Sequence, residues 1–313
     1  MPEHPFIKAG SLSDHVTWTP YGMSDEDCSR KFAWVVEEAL RWHKAVLPAL
    51  PVPEPGSSLA ADSAIPYLNV AGYVTPLIGH AVEHICFMGG SIVPKSNDDP
   101  TTKVVRVWPS AQHTVIRSAI MSASLALWML ASPSRAERQS HCLRYVWEDV
   151  RQQIASVKSI KPYIDSGSLA IDPAKYDEGL AQLKEQQQKL KDIAAEHDWP
   201  EPYSFQQTEV VQYAFDTIGF SDFPAILSMW REPSAAAHGL ASHSFLHSEK
   251  IADLDDGVNS LYRSASSIQE ISNLLGGAFV LTRYALNLLQ WRSIDLIKAL
   301  CTKAPPMGSV TRG

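Results

Sequence analysis

The sequence predicts an all-α fold, a bundle of about eight to nine helices with a protruding helical hairpin. Three observations predict it. Apolar residues recur at i, i+3, i+4 and i+7 through most of the chain. Alternating runs bounded by turn residues, the mark of strands, are nearly missing. Serine, aspartate and proline stand where helices would begin: SDED from Ser24, SPS from Ser132 and DP at Asp172-Pro173.

The elements follow in order. Residues 1–23 read as an irregular segment, and residues 24–303 as one helical domain. A first helix starts at the Ser24 cap and runs through FAWVVEEALRWHKAVL to Leu47. The proline-rich run 48–58 breaks it. A second helix covers Ala64 to Met88, with Val70, Val74, Leu77, Ile78, Ala81 and Ile85 on one face, and Gly89-Gly90 is its expected stop. Residues 91–108 form a loop with a short extended stretch at KVVRVW. The third helix runs from Pro109-Ser110 to Leu130.

Ser132 is the expected cap of the fourth helix, with Pro133 in its first position. The fifth starts at Asp172-Pro173 and is strongly polar, with a thin apolar stripe of Leu180, Leu183, Leu190 and Ile193. Such a helix is solvated on most of its surface, so residues 133–198 make a hairpin arm. Further helices are expected over 204–218, 222–230 and 233–238. The last helical stretch, 257–301, is one long helix or two helices broken near Gly276-Gly277. Residues 304–313 form a disordered tail.

Composition bounds the function. The chain has 313 residues, 45% hydrophobic and 19% charged, enough for a core that needs no disulfide or metal. Its net charge of −7 argues against general DNA or RNA coating, though a local basic cleft stays open. Cys28, Cys86, Cys142 and Cys301 are widely spaced, which suits reduced thiols in a cytoplasmic protein. The start of the chain lacks the basic-then-apolar order of a signal peptide. Residues 118–134 are uncharged between Arg117 and Arg135 but short for a bilayer, so a buried core helix is expected and no membrane partner.

Three constellations could carry chemistry. HAVEH at 80–84 places His80 and His84 one helical turn apart with Glu83 beside them, the pattern of an inverted zinc-protease motif, with Glu148 as the further ligand. A pair of ordinary helix histidines explains the same residues, and the expectation is no metal and no cofactor. MWREPSAAAHG at 229–239 places Arg231 seven residues before His238, about 10 Å apart on one face of a continuous helix. Arginine grips phosphate and histidine moves protons near neutral pH, which suits cleavage of a phosphodiester by its own 2′-hydroxyl.

Pro233 disfavours a helical Glu232, which makes Glu232 an N-cap candidate and sets Arg231 outside the helix, with Ser234 in the first turn. A histidine closing a helix on Gly239 is the structural explanation of the same segment. Third, arginines and aromatics cluster at Arg117 and at Arg144, Tyr145 and Trp147; Arg117 stands alone in an apolar helix and needs a partner, for which Glu83, Glu148 and Asp149 are the candidates, and a structural ion pair between packed helices is the expected role. Arg283-Tyr284 and Trp291-Arg292 read as structural pairs of the same kind, and SHSFLH with His243 and His247 as a loop or short helix.

Three segments, AVEHI, VIRSAIMSASLALWMLASPSRAERQSHCLRYVWEDVR and MWREPSAAAHG, resemble a family of uncharacterised all-helical proteins of high-GC, actinobacterial-type bacteria. The resemblance extends over about two-thirds of the chain, with these segments as its motifs. The resemblance implies that His84 and its preceding acid matter without His80. Where that family's arginine-led helix carries a glutamate one turn on, Met121 or Ser122 stands here. More distantly, Arg231-x6-His238 resembles the R-x4-6-H signature of HEPN proteins, helical bundles that include metal-independent ribonucleases of toxin–antitoxin and phage-defence systems. That resemblance implies Arg231 as phosphate contact, His238 as acid or base, RNA or a nucleotide as partner, and a homodimer. A non-enzymatic helical scaffold or partner-binding protein is the alternative, and a zinc hydrolase the second.

Overall fold

A computed structural model describes residues 24–91, 93–94, 105–106, 109–200, 202, 204–220, 226–238, 248–253, 260–264, 267–295 and 298. The expected irregular segment 1–23, the tail 304–313 and His243 and His247 lie outside them. The fold is an all-α multi-helix bundle. Nine α-helices occur among the described residues, with two short antiparallel ribbons that the sequence reading left out or noted only as a short extended stretch.

Helix α1 (Asp25–Arg41) begins where expected: Ser24 Oγ accepts the Asp27 N–H, and three acids occupy the first turn. It ends earlier than Leu47. Pro48 has no N–H to offer the carbonyl four residues back, and the chain loosens into a π turn, Trp42–Val46, then a 3-10 turn, Leu47–Ala49. A five-residue helix α2 (Ser58–Asp62) follows on a Ser57 cap. Helix α3 (Val70–Ser91) starts later than Ala64 and runs straight through Gly89 and Gly90, which do not stop it.

Strand β1 (Val93–Pro94) pairs with β2 (Val105–Arg106), inside the stretch read as extended. Helix α4 (Pro109–Leu130) has its expected bounds. Helix α5 (Arg135–Asp165) is capped by Ser134 rather than Ser132. Ser132 instead accepts the Ser134 N–H and donates to Glu137, bracing the cap from outside. Helix α6 (Pro173–Glu196) takes the Asp172 cap as expected.

Helices α7 (Gln207–Thr217) and α8 (Ile226–Ala237) come next, then the β3 (Ser248–Asp253) and β4 (Ser260–Ser264) ribbon. The β4 strand stands where a helix from residue 257 was expected. Helix α9 (Ile268–Arg292) is unbroken at Gly276-Gly277.

Two helices form the centre. Every residue from Ala123 to Leu130 of α4 is buried, and so is every residue from Leu274 to Thr282 of α9. A helix apolar all round belongs inside, which is why the uncharged run after Arg117 reads as core. By length and composition Ser110–Leu130 could cross a membrane, yet two-thirds of that window (67%) is buried in the bundle. Helix α4 packs against α3, α5, α7, α8 and α9, while α1 lies across α3 and α9. Trp42 stacks on Phe279 at 4.6 Å, and Trp34 meets the same ring edge-on.

One glycine of each pair serves close approach. A Cβ on Gly89 would stand 2.5 Å from Val36 Cγ1, so α3 can touch α1 only without one. A Cβ on Gly277 would stand 2.8 Å from Met229 Cε, where α9 meets α8. Helix α6 packs chiefly on α5. At its base Leu190, Ile193 and Ala194 are buried, and at its tip Tyr176 and Ile164 are buried apart from the main core, with Lys161 over the Tyr176 ring. The expected arm is thus a polar hairpin with apolar fastenings at both ends.

Candidate functional site

Helix α8 settles the geometry of the Arg231–His238 segment. Pro233 lies inside the helix and is buried, so Glu232 is not an N-cap and Arg231 is not outside. The helix forgoes one backbone bond, and burial of Met229, Trp230, Pro233 and Ala236 on one face holds it together. Arg231 and His238 fall opposite that face, and both are exposed. They are two turns apart on the outward side. Ser234 between them is half-buried, and its carbonyl accepts the His238 N–H at 3.1 Å.

Arg117 does not join them. Its guanidinium lies 4.8 Å from the Trp230 ring, on the core side of α8, and Nη2 donates to Gln207 Oε1 of α7 at 2.9 Å. None of the expected acids, Glu83, Glu148 or Asp149, is its partner in these contacts. The aromatic face and the neutral amide do the holding, and burial lowers the Arg117 pKa from its ordinary value. Arg117 therefore ties α4 to α7 and α8.

HAVEH lies on the outer side of α3. His80 and Glu83 are exposed. His84 is half-buried and its Nδ1–H donates to the His80 carbonyl at 2.6 Å. Glu148 belongs to another cluster: Arg151 grips both its oxygens, and Gln152 and Ser204 donate to it as well. The Arg151 guanidinium first, with Ser204 and Gln152 adding to it, draws the Glu148 carboxyl down to about 2. Among the described residues no group of three His, Cys, Asp or Glu is placed to hold a metal ion.

The structure assembles three polar constellations of which the sequence marked only Arg292 and Arg144, each as a structural residue. The deepest joins Asp62 of α2 to Arg138 of α5. Nε meets Oδ2 and Nη2 meets Oδ1, both at 2.7 Å, with Asp62 fully buried and Arg138 only 3% exposed. Arg138 Nη1 also donates to the carbonyls of Ser132 and Pro133, and Nη2 to Ser58 Oγ. Arg292, at the end of α9, donates to the same Ser58 hydroxyl and the same Ser132 carbonyl. Gln139 donates to the Asp62 carbonyl. Three helix ends and the α4–α5 turn are thereby fixed on one carboxylate. The signal was faint: Asp62 closes a five-residue helix, and Arg138 is one of many charges on α5.

The second constellation centres on Trp128. His141 stacks on its ring at 4.3 Å, and His141 Nδ1–H donates to the Trp128 carbonyl at 2.6 Å. Phe205 and the Arg144 guanidinium cover other sides of the indole, and Tyr213 meets His141 edge-on. Burial, opposed by the carbonyl bond, lowers the His141 pKa below its ordinary value. The third pairs fully buried His113 of α4 with Glu270 of α9, 2.9 Å apart. Glu270 also supplies the backbone N–H that Ser267 caps. No protein-family model, curated protein or solved structure matches this chain, so these constellations are read on their own geometry.

Proposed function

We propose that this protein is a non-catalytic helical scaffold that binds a partner on its surface. One observation carries the reading: Arg231 and His238 are exposed on the face of α8 opposite its buried residues, while Arg117 packs on that helix's inner side. A general acid or base must reach its substrate together with the groups that grip it, within hydrogen-bond distance. These three residues stand on two sides of one helix. Among the described residues, Asp62–Arg138, His113–Glu270 and His141–Trp128 hold helices together, and Glu148–Arg151 is a pair within α5.

The test is metal-free incubation of the purified protein with single-stranded and hairpin RNA, beside a His238→Ala variant. The expected result is no cleavage by either. Cleavage that the variant loses while keeping its helical spectrum would overturn the scaffold reading.

A second reading is favoured by the shared outward face itself. Arg231 and His238, about 10 Å apart along the axis, could contact successive phosphates of RNA or a nucleotide. Its mark is salt-dependent RNA binding that weakens in Arg231→Ala.

A further inference from the structure

Helix α3 carries an exposed stripe made of Pro76, His80, Glu83 and Phe87. Phe87 is 62% exposed, among the most exposed aromatic side chains of the described residues. Beside it a mostly apolar hollow of about 240 Å³ opens between α3 and α4, lined by Phe87, Met88, Ala111 and Val115 among others. Along seven residues of stripe on either side, the only full charge is Glu83, and its nearest polar neighbour on that face is His80. Solvated stripes elsewhere in the chain, such as those of α5 and α6, are rich in Lys, Arg, Glu and Gln.

The order of this stripe is self-complementary. Pro76 and Phe87, and His80 and Glu83, are symmetric about the point between residues 81 and 82. When a second copy of α3 lies antiparallel across the first, a two-fold axis at that point puts His80 of each copy against Glu83 of the other. The same operation sets each exposed Phe87 on the turn that bears Pro76 and Gly79. A Cβ added at Gly79 would meet nothing within 4 Å, so nothing among the described residues calls for a glycine there. A glycine in a helix interior, as half-buried Gly79 is, costs about 1 kcal/mol against alanine, and close passage of a second backbone explains it.

We propose that α3 is a homodimer interface, with two copies paired antiparallel through reciprocal His80–Glu83 contacts and Phe87 packed over Pro76 and Gly79. Charge complementarity selects a second copy as the occupant, because one helix face supplies both members of each pair. This is an isologous contact, and closed two-fold symmetry follows from it. A single helix pair buries less than the 1,200–2,000 Å² of a standard interface, so association in the micromolar range is expected.

Sedimentation velocity over roughly 1 to 300 µM tests it. The wild-type protein should shift from monomer to dimer across that range. Phe87→Asp and Gly79→Leu, both at exposed or open positions that a single copy tolerates, should keep the helical spectrum and remain monomeric at the highest concentration. Glu83→Lys should weaken the dimer at least tenfold, and adding His80→Glu to it should restore dimerisation by reversing each pair. A wild-type monomer at 300 µM, or a dimer indifferent to Phe87→Asp, overturns the proposal, and the first result would leave the face to a different chain. Failure of the charge reversal to restore association would overturn the antiparallel register.

Discussion

Replacing Asp62 by asparagine tests the most connected group of the fold. Asp62 is fully buried and forms two bonds of 2.7 Å to Arg138, itself 3% exposed. The substitution keeps the shape and removes the charge. Arg138 then remains buried without its counter-ion, a situation that costs about 3–5 kcal/mol in comparable proteins. Two features temper this. The asparagine oxygen still accepts one bond, and Arg138 keeps its donations to the Ser132 and Pro133 carbonyls.

A loss of about 3 kcal/mol is therefore expected, on the order of 5–10 °C in melting temperature for a chain of this length. Urea unfolding followed by circular dichroism measures it. Removing both charges, Asp62→Asn with Arg138→Met, should recover part of the loss. Arg292 already donates to Ser58 Oγ and the Ser132 carbonyl, so those acceptors are not both stranded. A loss below about 1 kcal/mol in the single variant, or a double variant no better than the single, would refute the reasoning.

Three further outcomes are expected. Gly89→Ala should destabilise by about 1 kcal/mol, because overpacking against Val36 outweighs the gain in helix propensity; Gly79→Ala, with open space around it, should be neutral or stabilising. Parallel thermal melts decide this, and equal effects at both sites would refute the close-approach account. Burial holds the His141 pKa below its ordinary value, so the unfolded chain takes that proton more readily than the folded one. The stability it contributes is complete above about pH 6.5 and is lost as pH falls below it; urea midpoints for wild type and His141→Gln should diverge between pH 7 and 5, and parallel curves would contradict the burial argument. Finally, Tyr176→Ala should loosen the tip of the α5–α6 arm while the bundle unfolds near its original midpoint, since Tyr176 lies under Lys161 and outside the main core. Hydrogen exchange should quicken locally, and a large fall in the global midpoint would count against an arm that packs on itself.

The candidate site was legible in its residues but not in its arrangement. That Arg231 and His238 share a helix face followed from their spacing. Which way the face points depends on Met229, Trp230, Pro233 and Ala236 being buried together, and that is a property of α4 and α9 packing against α8. Arg117 announced its need for a partner by standing alone in an apolar helix. The partner proved to be a tryptophan ring and a glutamine ninety residues away, which no local pattern selects.

Sequence alone determined what depends on neighbours along the chain. The Ser24 and Asp172 caps, the bounds of α4, the buried character of the uncharged run after Arg117 and the polar arm all rest on groups a few residues apart. Only the tertiary structure decided the rest. Gly89-Gly90 and Gly276-Gly277 look like helix stops, because glycine weakens a lone helix; within the bundle Gly89 and Gly277 are where another helix comes too close for a Cβ. Pro233 looks like a boundary, yet burial of its helix face offsets the lost bond. Asp62 and Arg138 look like ordinary surface charges, and became the centre of a buried network because three helix ends converge on them. Packing free energy outweighs local preference wherever the surfaces meet, and no single stretch of sequence contains both of those surfaces.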